Sequence, residues 1–257
     1  MENWNPATYQ LFLESRTQPS KDLVNRIDVD APNQIIDLGC GTGNSTSVCA
    51  NRWRASRIIG IDSSNEMLTE ARKSFPALEF RQQSIEQWLE SKSAADIVFA
   101  AASLQWLSQH DVLFPELVER VNVGGVFAAH MPDYFSPAHV ALRSLARSSK
   151  WASAFSPEAP EEWISHQPDQ YYSWLAPLSG RLEIWRTDYF YPMLDSGEIV
   201  RWYESTGLRP YRKAFRDHTR WAEFIADFRT QLDFAFPIAA TGERLFSIPR
   251  LFILWRR

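Results

Sequence analysis

Two acidic side chains on either side of a glycine-rich segment have types and spacing that predict a ligand site. Asp37 stands two residues before a Gly-x-Gly-x-Gly run formed by Gly39, Gly41 and Gly43, and Asp62 follows roughly 20 residues later. Alternate glycines let the backbone turn tightly and approach a ligand where a Cβ would obstruct. An acid placed like Asp62 typically meets a ribose diol. Asp37 would repel a pyrophosphate, and it suits a ligand with a cationic ammonium or sulfonium group.

The elements that position these residues alternate between strand and helix, which predicts a parallel sheet. The helix after the glycines can be capped by Asn44 or Ser45, and the next helix can begin at Ser63 or Ser64. We predict strands at residues 34–38, 57–61, 78–81, 95–100, 126–130, 181–191 and 251–255. We predict helices at residues 44–53, 64–74, 111–122, 137–149, 196–205 and 217–235.

The fold class that follows is α/β, with a doubly wound, mostly parallel seven-stranded sheet and a helical cap insertion. Such sheets bind ligands beyond the carboxyl ends of their strands, which is where the glycines and Asp62 fall. The length favours a single domain over residues 1–257. Residues 1–30 are predicted as a helical leader, and residues 132–180 and 206–248 as cap elements over the active site.

Composition narrows the function classes. Hydrophobic residues make up 45% of the chain, which is enough for a full core and excludes a disordered protein. No apolar run approaches the ~20 residues of a membrane span, and the N-terminus lacks a signal-peptide pattern. The two cysteines, Cys40 and Cys49, indicate neither a disulfide framework nor a metal site, so a cytoplasmic location is expected. A net charge of −4 argues against a nucleic-acid partner.

Positive charge is concentrated near the end of the chain. From Arg181 onward there are 13 Lys and Arg against 10 Asp and Glu, and 12 of those 13 cations are arginines. The planar guanidinium suits recognition of carboxylates or phosphates. Arg209 is the first candidate to bind an anion, followed by Arg244 and Arg250, although a solvated helix face is the ordinary place for any single arginine.

The segments "DLGCGTGNST" and "GIDSSNEML" resemble motifs I and II of the class I S-adenosylmethionine (SAM) methyltransferases. The resemblance implies SAM as cofactor. It places Asp37 and the glycines at the methionine end, Asp62 on the ribose hydroxyls and Met67 near the adenine. The cofactor set it implies is Asp37, Gly39, Gly41, Gly43, Asp62, Ser63, Met67, Ser84, Ile85 and Ala101.

Two positions depart from the family pattern. Ser84 stands where the family usually has an acid that binds the adenine amino group, and a hydroxyl accepts that hydrogen bond more weakly than a carboxylate. Ala101 stands where a polar residue, commonly Asn, is expected. Because both departures touch the cofactor, the alternative of a protein that binds SAM without turnover stays open.

Later segments are similar to one subfamily, the trans-aconitate methyltransferases. They are "LQWL" after the fourth strand, "HMPDY", "TGLRPY" and "RLFIL". The resemblance implies O-methylation of a carboxylate on a small polycarboxylic acid. The substrate-binding residues predicted with it are Gln105, Trp106, Arg209, Tyr211 and Arg244.

The predicted chemistry needs no catalytic residue. A carboxylate with a pKa near ~4 is already ionised at neutral pH, so proximity to the methyl donor suffices. The alternative is methylation of a hydroxyl, amine or carbon, for which His130 is the candidate base. The five histidines lack metal-ligand spacing, so no metal is predicted. The expected partner is a small anionic metabolite, with no nucleic acid and no membrane, and the protein is expected to be a monomer or homodimer.

Overall fold

The computed structural model describes residues 12–155, 163–204 and 206–257, and its chain divides into two compact units. The helical unit comprises Met1–Ser15, Asp133–Trp163 and Asp188–Pro249. The sheet unit comprises Arg16–Pro132, Ile164–Thr187 and Arg250–Arg257. Residues 1–11 of the predicted leader, residues 156–162 of the predicted cap and Ser205 of a predicted helix lie outside the described residues.

Seven strands form one mixed sheet. They are β1 (Gln34–Leu38), β2 (Arg57–Asp62), β3 (Glu79–Gln82), β4 (Ala95–Ala101), β5 (Val121–Pro132), β6 (Arg181–Met193) and β7 (Arg244–Arg256). Their order is β3-β2-β1-β4-β5-β7-β6. The pairs β1–β2, β1–β4, β2–β3 and β4–β5 are parallel, whereas β7 is antiparallel to β5. The predicted fold class, a mostly parallel seven-stranded sheet, is confirmed.

Ten α-helices are described. They are α1 (Leu13–Arg26), α2 (Asn44–Arg52), α3 (Asn65–Ser74), α4 (Ile85–Glu90), α5 (His110–Glu119), α6 (Pro137–Ala146), α7 (Pro168–Leu175), α8 (Ser196–Glu204), α9 (Leu208–Ala214) and α10 (Trp221–Ala235). The short helices α4, α7 and α9 have no counterpart in the sequence prediction, because six to eight residues carry too little periodicity to separate from loops. Within the described residues, no helix combines the length and the apolar character that crossing a membrane requires.

The core of the sheet unit explains why its strands read as continuous apolar runs. β1 and β4 lie in the middle of the sheet, and Ile35, Ile97 and Phe99 are fully buried. A strand covered on both faces has no solvent side to mark with polar residues. The same burial makes the few polar residues of these strands, such as Asp37, stand out as functional candidates.

The helical unit has a separate, aromatic core. Trp151, Phe215 and Phe224 are almost completely buried and meet edge-on or tilted, with ring centroids 5.3–5.9 Å apart. Such arrangements add to the free energy gained from burying the rings. These three aromatic side chains from the later half of the sequence therefore form part of a core.

Two local predictions are corrected by the structure. The N-cap of α2 is Gly43, in a left-handed conformation, and neither Asn44 nor Ser45 caps the helix. The strand β5 begins at Val121 and runs through Gly124 and Gly125, whereas the sequence predicted a helix up to residue 122 and a strand only from residue 126. A Cβ on Gly125 would meet the carbonyl oxygen of Asp96, so the glycine is needed for β5 to approach β4.

Candidate active site

The glycine segment after β1 adopts a conformation that favours glycine at three positions. Gly39, Gly41 and Gly43 have φ values of 67°, 54° and 85°, in the left-handed region. Side chains disfavour this region, so the Gly-x-Gly-x-Gly pattern follows from the backbone path. The amide of Gly41 donates a hydrogen bond of 2.9 Å to Oδ2 of Asp62, which ties the turn to the end of β2.

The first two glycines serve different purposes. A Cβ on Gly39 would lie 2.5 Å from the Cβ of Ser103, so Gly39 lets the turn pack closely against the segment after β4. A Cβ on Gly41 would meet no protein atom within 4 Å. Gly41 therefore keeps open space beside the loop, as a site for a closely approaching ligand requires.

Asp37 is completely buried in β1 and has one unpaired oxygen. Its Oδ2 accepts hydrogen bonds of 2.6 Å from the hydroxyls of Ser45 and Thr46, in the first turn of α2. Its Oδ1 has no hydrogen-bond partner within the described part of the chain. Burial, together with the charge of Asp62, raises the pKa of Asp37 to about 6 despite the two hydroxyl donors. A cationic ligand that reached Oδ1 would relieve both the missing hydrogen bond and the buried charge.

Sequence reasoning did not predict the roles of Ser45 and Thr46. As residues of the first turn of a helix they look like ordinary polar positions, and their bond to Asp37 depends on how α2 packs against β1. The signal available in the sequence was the spacing of eight and nine residues from Asp37, which a strand–turn–helix unit can bring together.

Asp62, at the end of β2, is held by two backbone amides. Oδ2 accepts from Gly41, and Oδ1 accepts from Ser64 at 2.8 Å. Each carboxylate oxygen can accept a second hydrogen bond, so both oxygens keep capacity for the hydroxyls of a diol. The structure thus fixes the orientation of the carboxylate and leaves one acceptor position on each oxygen for a ligand.

The residues predicted to surround an adenine lie at the starts of two helices. Ser64 caps α3 by accepting a hydrogen bond from the amide of Met67 at 3.3 Å, which confirms Ser64 as the N-cap, and Ser63 is exposed. Ser84 forms a reciprocal capping box with Gln87 at the start of α4. The Ser84 hydroxyl thus has a structural task that an acid at this position could also perform. Its contact with the adenine, like those of Met67 and buried Ile85, remains a prediction.

The segment after β4 lies beside the glycine turn. Ala102 has a φ of 52°, which residues with a side chain rarely adopt, and its amide donates to the carbonyl oxygen of His130 at 2.8 Å. The hydroxyl of Ser103 donates to the carbonyl oxygen of Leu38 at 2.6 Å, just before the glycines. Ser103, which sequence reasoning missed, thus joins β1 and β4 next to Ala101.

Gln105 and Trp106, predicted as pocket walls, differ in exposure. Gln105 is buried; its amide nitrogen donates to the carbonyl oxygen of Ala102 at 2.6 Å, and its Oε1 has no partner among the residues described. Trp106 is 44% exposed, which excludes a core role for the indole. Both lie in the sheet unit, in the segment that Ser103 fixes.

His130 is a buried residue near the end of β5, and its environment does not suit a base. Its Nε2 lies 3.1 Å from the hydroxyl of Ser20. Burial, with a contribution from the charge of Arg250, lowers the pKa of His130 well below its ordinary value. A histidine with so low a pKa accepts protons poorly at neutral pH.

The other predicted substrate residues belong to the helical unit, and the structure gives them different surroundings. Arg209 is exposed on α9, and Tyr211 is completely buried in the aromatic core. Arg244 forms an ion pair of 2.8 Å with Asp233 and donates to the carbonyl oxygens of Asp233 and Phe236 at the end of α10. A cation at a helix C-terminus is stabilising by itself. The charge of Arg244 is therefore accounted for without a substrate.

Known proteins match this chain over its whole length. The family model described as "Methyltransferase domain" matches residues 35–125, which span the glycine turn and both aspartates. The trans-aconitate 2-methyltransferase of Paracidovorax citrulli is 39% identical over 259 residues, covering 100% of this chain and 99% of that protein. The enzyme of the same name from Acidovorax ebreus is 40% identical, with the same coverage.

The chain belongs to the trans-aconitate 2-methyltransferase family.

As a member of this family, the protein is a SAM-dependent methyltransferase. Solved structures support the fold alone, because their sequences are far more distant. The YcgJ protein of Bacillus subtilis has a TM-score of 0.60 at 13% identity, covering 93% of this chain and 99% of that one. A putative methyltransferase of Bacillus halodurans has a TM-score of 0.58, also at 13% identity, covering 93% of this chain and 97% of that one.

The residues present fit SAM. Oδ1 of Asp37 is an unpaired buried acceptor, which matches a ligand that carries an ammonium group. Asp62 has lone pairs for two hydroxyls, and a Cβ at Gly41 would occupy space that the loop leaves open. Among the described residues, no three His, Cys, Asp or Glu side chains group together as metal ligands would.

Proposed function

We propose that this member of the family transfers the methyl group of SAM to a carboxylate oxygen of trans-aconitate, forming a methyl ester. The observation that carries the proposal is the 35–40% identity, over essentially the whole chain, to relatives named trans-aconitate 2-methyltransferase. The matched regions cover essentially the whole chain, so they include the helical unit as well as the cofactor motifs. The acceptor is thus a small organic acid with several carboxylates.

Asp37, the glycines and Asp62 are the residues that would hold the cofactor. When bound, SAM supplies an electrophilic methyl group on a positively charged sulfur. Asp37 Oδ1 is positioned to accept hydrogen bonds from a cationic group, and Asp62 to accept from hydroxyls. Ser45 and Thr46 orient Asp37 through hydrogen bonds of 2.6 Å, and Ser103 holds the carbonyl of Leu38, just before the glycines, through another of 2.6 Å. Fixed groups of this kind can lower a barrier by orientation alone.

No proton needs to be removed from an ionised acceptor. A carboxylate oxygen provides the electron pair of the new C–O bond, and the pair of the broken C–S bond leaves with sulfur, which becomes a neutral thioether. The low pKa of His130 is consistent with this account, because a hydroxyl or amine acceptor would need a base. A monomeric or homodimeric state, a cytoplasmic location and the lack of a nucleic-acid partner remain predictions.

A methyl-transfer assay with labelled SAM tests the proposal. We expect labelled methyl ester with trans-aconitate, detected after extraction and released as methanol by mild alkaline hydrolysis. A saturated tricarboxylate of similar size serves as the comparison acid. Turnover of SAM without an ester on any di- or tricarboxylate would contradict the proposal.

The dependence of the rate on pH separates the proposal from methylation of a hydroxyl, amine or carbon. For an acceptor carboxylate, the acceptor contributes no titration above about pH 5, because it is fully ionised there. A rate that rises through neutral pH and loses this rise in His130→Ala would favour a base-dependent acceptor instead. A rate that shows no such rise in the wild type, and that has the same pH profile in His130→Ala, would support a carboxylate acceptor.

A further inference from the structure

Three polar side chains share one face of α6 in the helical unit. Ser136 is the N-cap of the helix, and His139 and Arg143 follow three and seven residues later. This spacing places them one above another on the helix surface. That face is buried, since the three residues are 2%, 1% and 7% exposed.

These side chains keep most of their hydrogen-bonding capacity. Ser136 Oγ, both ring nitrogens of His139 and Nη1 of Arg143 are buried without a hydrogen-bond partner in the part of the chain that the structure describes. Ser136 does not use its hydroxyl to cap α6. Each buried polar atom left unpaired costs free energy, so several on one helix face are a candidate ligand site.

Aromatic contacts fix the two larger side chains without using their polar atoms. The ring of His139 stacks on Trp163, with centroids 3.9 Å apart and planes at 29°. The guanidinium carbon of Arg143 lies 3.4 Å from the centroid of Tyr134. Stacking on the faces of the imidazole and the guanidinium leaves their edges, which carry the nitrogens, directed elsewhere. The polar groups are thus oriented before any ligand binds.

The charge of the cluster is positive. Burial and the charge of Arg143 lower the pKa of His139 to about 2, so the imidazole is neutral at physiological pH and offers one donor and one acceptor. Arg143 supplies a permanent positive charge with a fork that matches a carboxylate. Ser136 adds a hydroxyl donor.

We propose that Ser136, His139 and Arg143 form the site that binds a carboxylate of the acid acceptor. The inference rests on the proposed function, which supplies an acceptor with several carboxylates. It names a recognition site that sequence reasoning did not predict, since Arg143 lies outside the arginine-rich end of the chain. Arg209 is exposed. Arg244 and Arg143 are both buried with an unpaired nitrogen, but the charge of Arg244 is paired with Asp233, whereas Arg143 has no ion pair with any residue that the structure describes.

The main test replaces Arg143 by methionine, which keeps length and removes charge. Binding of trans-aconitate is measured by calorimetry with S-adenosylhomocysteine present, and KM and kcat are measured in parallel. In Arg143→Met we expect the Kd and KM to rise by about tenfold to a hundredfold, the value of one charge-assisted hydrogen bond. The melting temperature without the acid should be unchanged or higher, because an unpaired buried charge is lost. Trans-aconitate should no longer raise it.

Two further variants make the test specific. Ser136→Ala removes one hydroxyl from a cap position that makes no cap bond, and it should raise KM at least about threefold with an unchanged melting temperature. Arg201→Gln is the matched control, because it removes an arginine of the same unit whose side chain is 47% exposed and pairs with Glu198 of its own helix. Arg201→Gln should leave Kd, KM and kcat unchanged.

The outcomes distinguish this site from the proposed function. If the wild type methylates trans-aconitate and Arg143→Met and Ser136→Ala keep its KM, the site is wrong and the function stands. If the wild type forms no ester but binds tricarboxylates in an Arg143-dependent way, the site stands and the function is wrong. A lower melting temperature in Arg143→Met with an unchanged Kd would give Arg143 a purely structural role and overturn the inference.

Discussion

The sheet unit and the helical unit each contain a buried charged side chain with an unpaired atom, Asp37 and Arg143, and these two side chains differ in sign. In the sheet unit, Oδ1 of Asp37 is an unpaired acceptor on a carboxylate. In the helical unit, Nη1 of Arg143 is an unpaired donor on a cation, beside the unpaired nitrogens of His139. The first suits a ligand with positive charge, and the second suits a ligand with negative charge.

This difference shows how buried polar groups indicate the chemistry of ligands that a structure does not contain. Each unpaired group destabilises the folded protein, so its retention calls for an explanation outside the fold. The charge of the group then predicts that its binding partner carries the opposite charge. Asp37 matches the ammonium of SAM, and Arg143 matches a carboxylate of the proposed acceptor.

The largest expected effect is a difference in stability between alanine variants at Gly39 and Gly41, which tests whether the sheet unit leaves space for a ligand at Gly41. Both have positive φ, but only at Gly39 would a Cβ collide with the protein, at Ser103. We expect Gly39→Ala to lower the free energy of unfolding by about 3–5 kcal/mol, from overpacking plus the left-handed backbone. Gly41→Ala should cost only about 1–2 kcal/mol. Denaturant unfolding of both variants measures the difference.

Binding provides the second half of this comparison. Gly41→Ala should lose affinity for SAM at a temperature where it remains folded, because its Cβ enters the open space beside the loop. A Gly41→Ala protein that binds SAM like the wild type would show that the cofactor does not approach the loop there. Equal destabilisation of the two variants would contradict the collision at Ser103.

The pH dependence of stability tests the buried charge of Asp37. Its pKa is raised to about 6 in the folded protein from 3.8, so the folded state binds the proton more tightly. Its contribution is fully present below about pH 4 and is lost as the pH rises through about 6. Between about pH 4 and pH 8, the wild type should therefore lose about 3 kcal/mol relative to Asp37→Asn. Urea unfolding of both proteins across this range gives the difference, and parallel curves would contradict the raised pKa.

Asp37→Asn should also weaken cofactor binding. The substitution keeps the shape of the side chain and removes the charge, so the Kd for SAM should rise about tenfold to a hundredfold. Adenosine lacks the ammonium group, and its affinity should change by less than about threefold. Calorimetry measures both ligands, with exposed Asp30→Asn as the control variant. Equal losses for SAM and adenosine would mean that Asp37 does not contact the cationic end.

The sequence was sufficient to predict the glycine turn and the buried strands of the sheet unit, but not the polar cluster of the helical unit. The glycine turn, Asp37 and Asp62 lie within 26 residues of one another, so local spacing alone identifies them. Long apolar runs likewise predict buried strands such as β1 and β4. General rules for α/β folds predict a mostly parallel, doubly wound sheet, but the order of its strands and the antiparallel direction of β7 come from the structure.

The remaining features depend on packing that spacing does not specify. The hydroxyl of Ser103, in the segment after β4, donates to the carbonyl of Leu38, which is 65 residues earlier in the sequence. Arg143 and His139 read as ordinary positions of an amphipathic helix, and only their burial without partners distinguishes them. Arg209 stood out by composition, but the structure places it exposed on α9. Residue type and neighbours therefore predict a motif, whereas desolvation has to be observed.

Arg209 provides the smallest expected effect and the direct contrast with Arg143. An exposed guanidinium is solvated, so its interaction with an anion is screened and contributes little free energy. We expect Arg209→Gln to raise the KM for trans-aconitate by no more than about threefold, and to do so less at high salt. Initial-rate measurements at low and high ionic strength would check this. A tenfold rise that persists at high salt would instead place Arg209 in direct contact with the acid, as its position in the sequence first suggested.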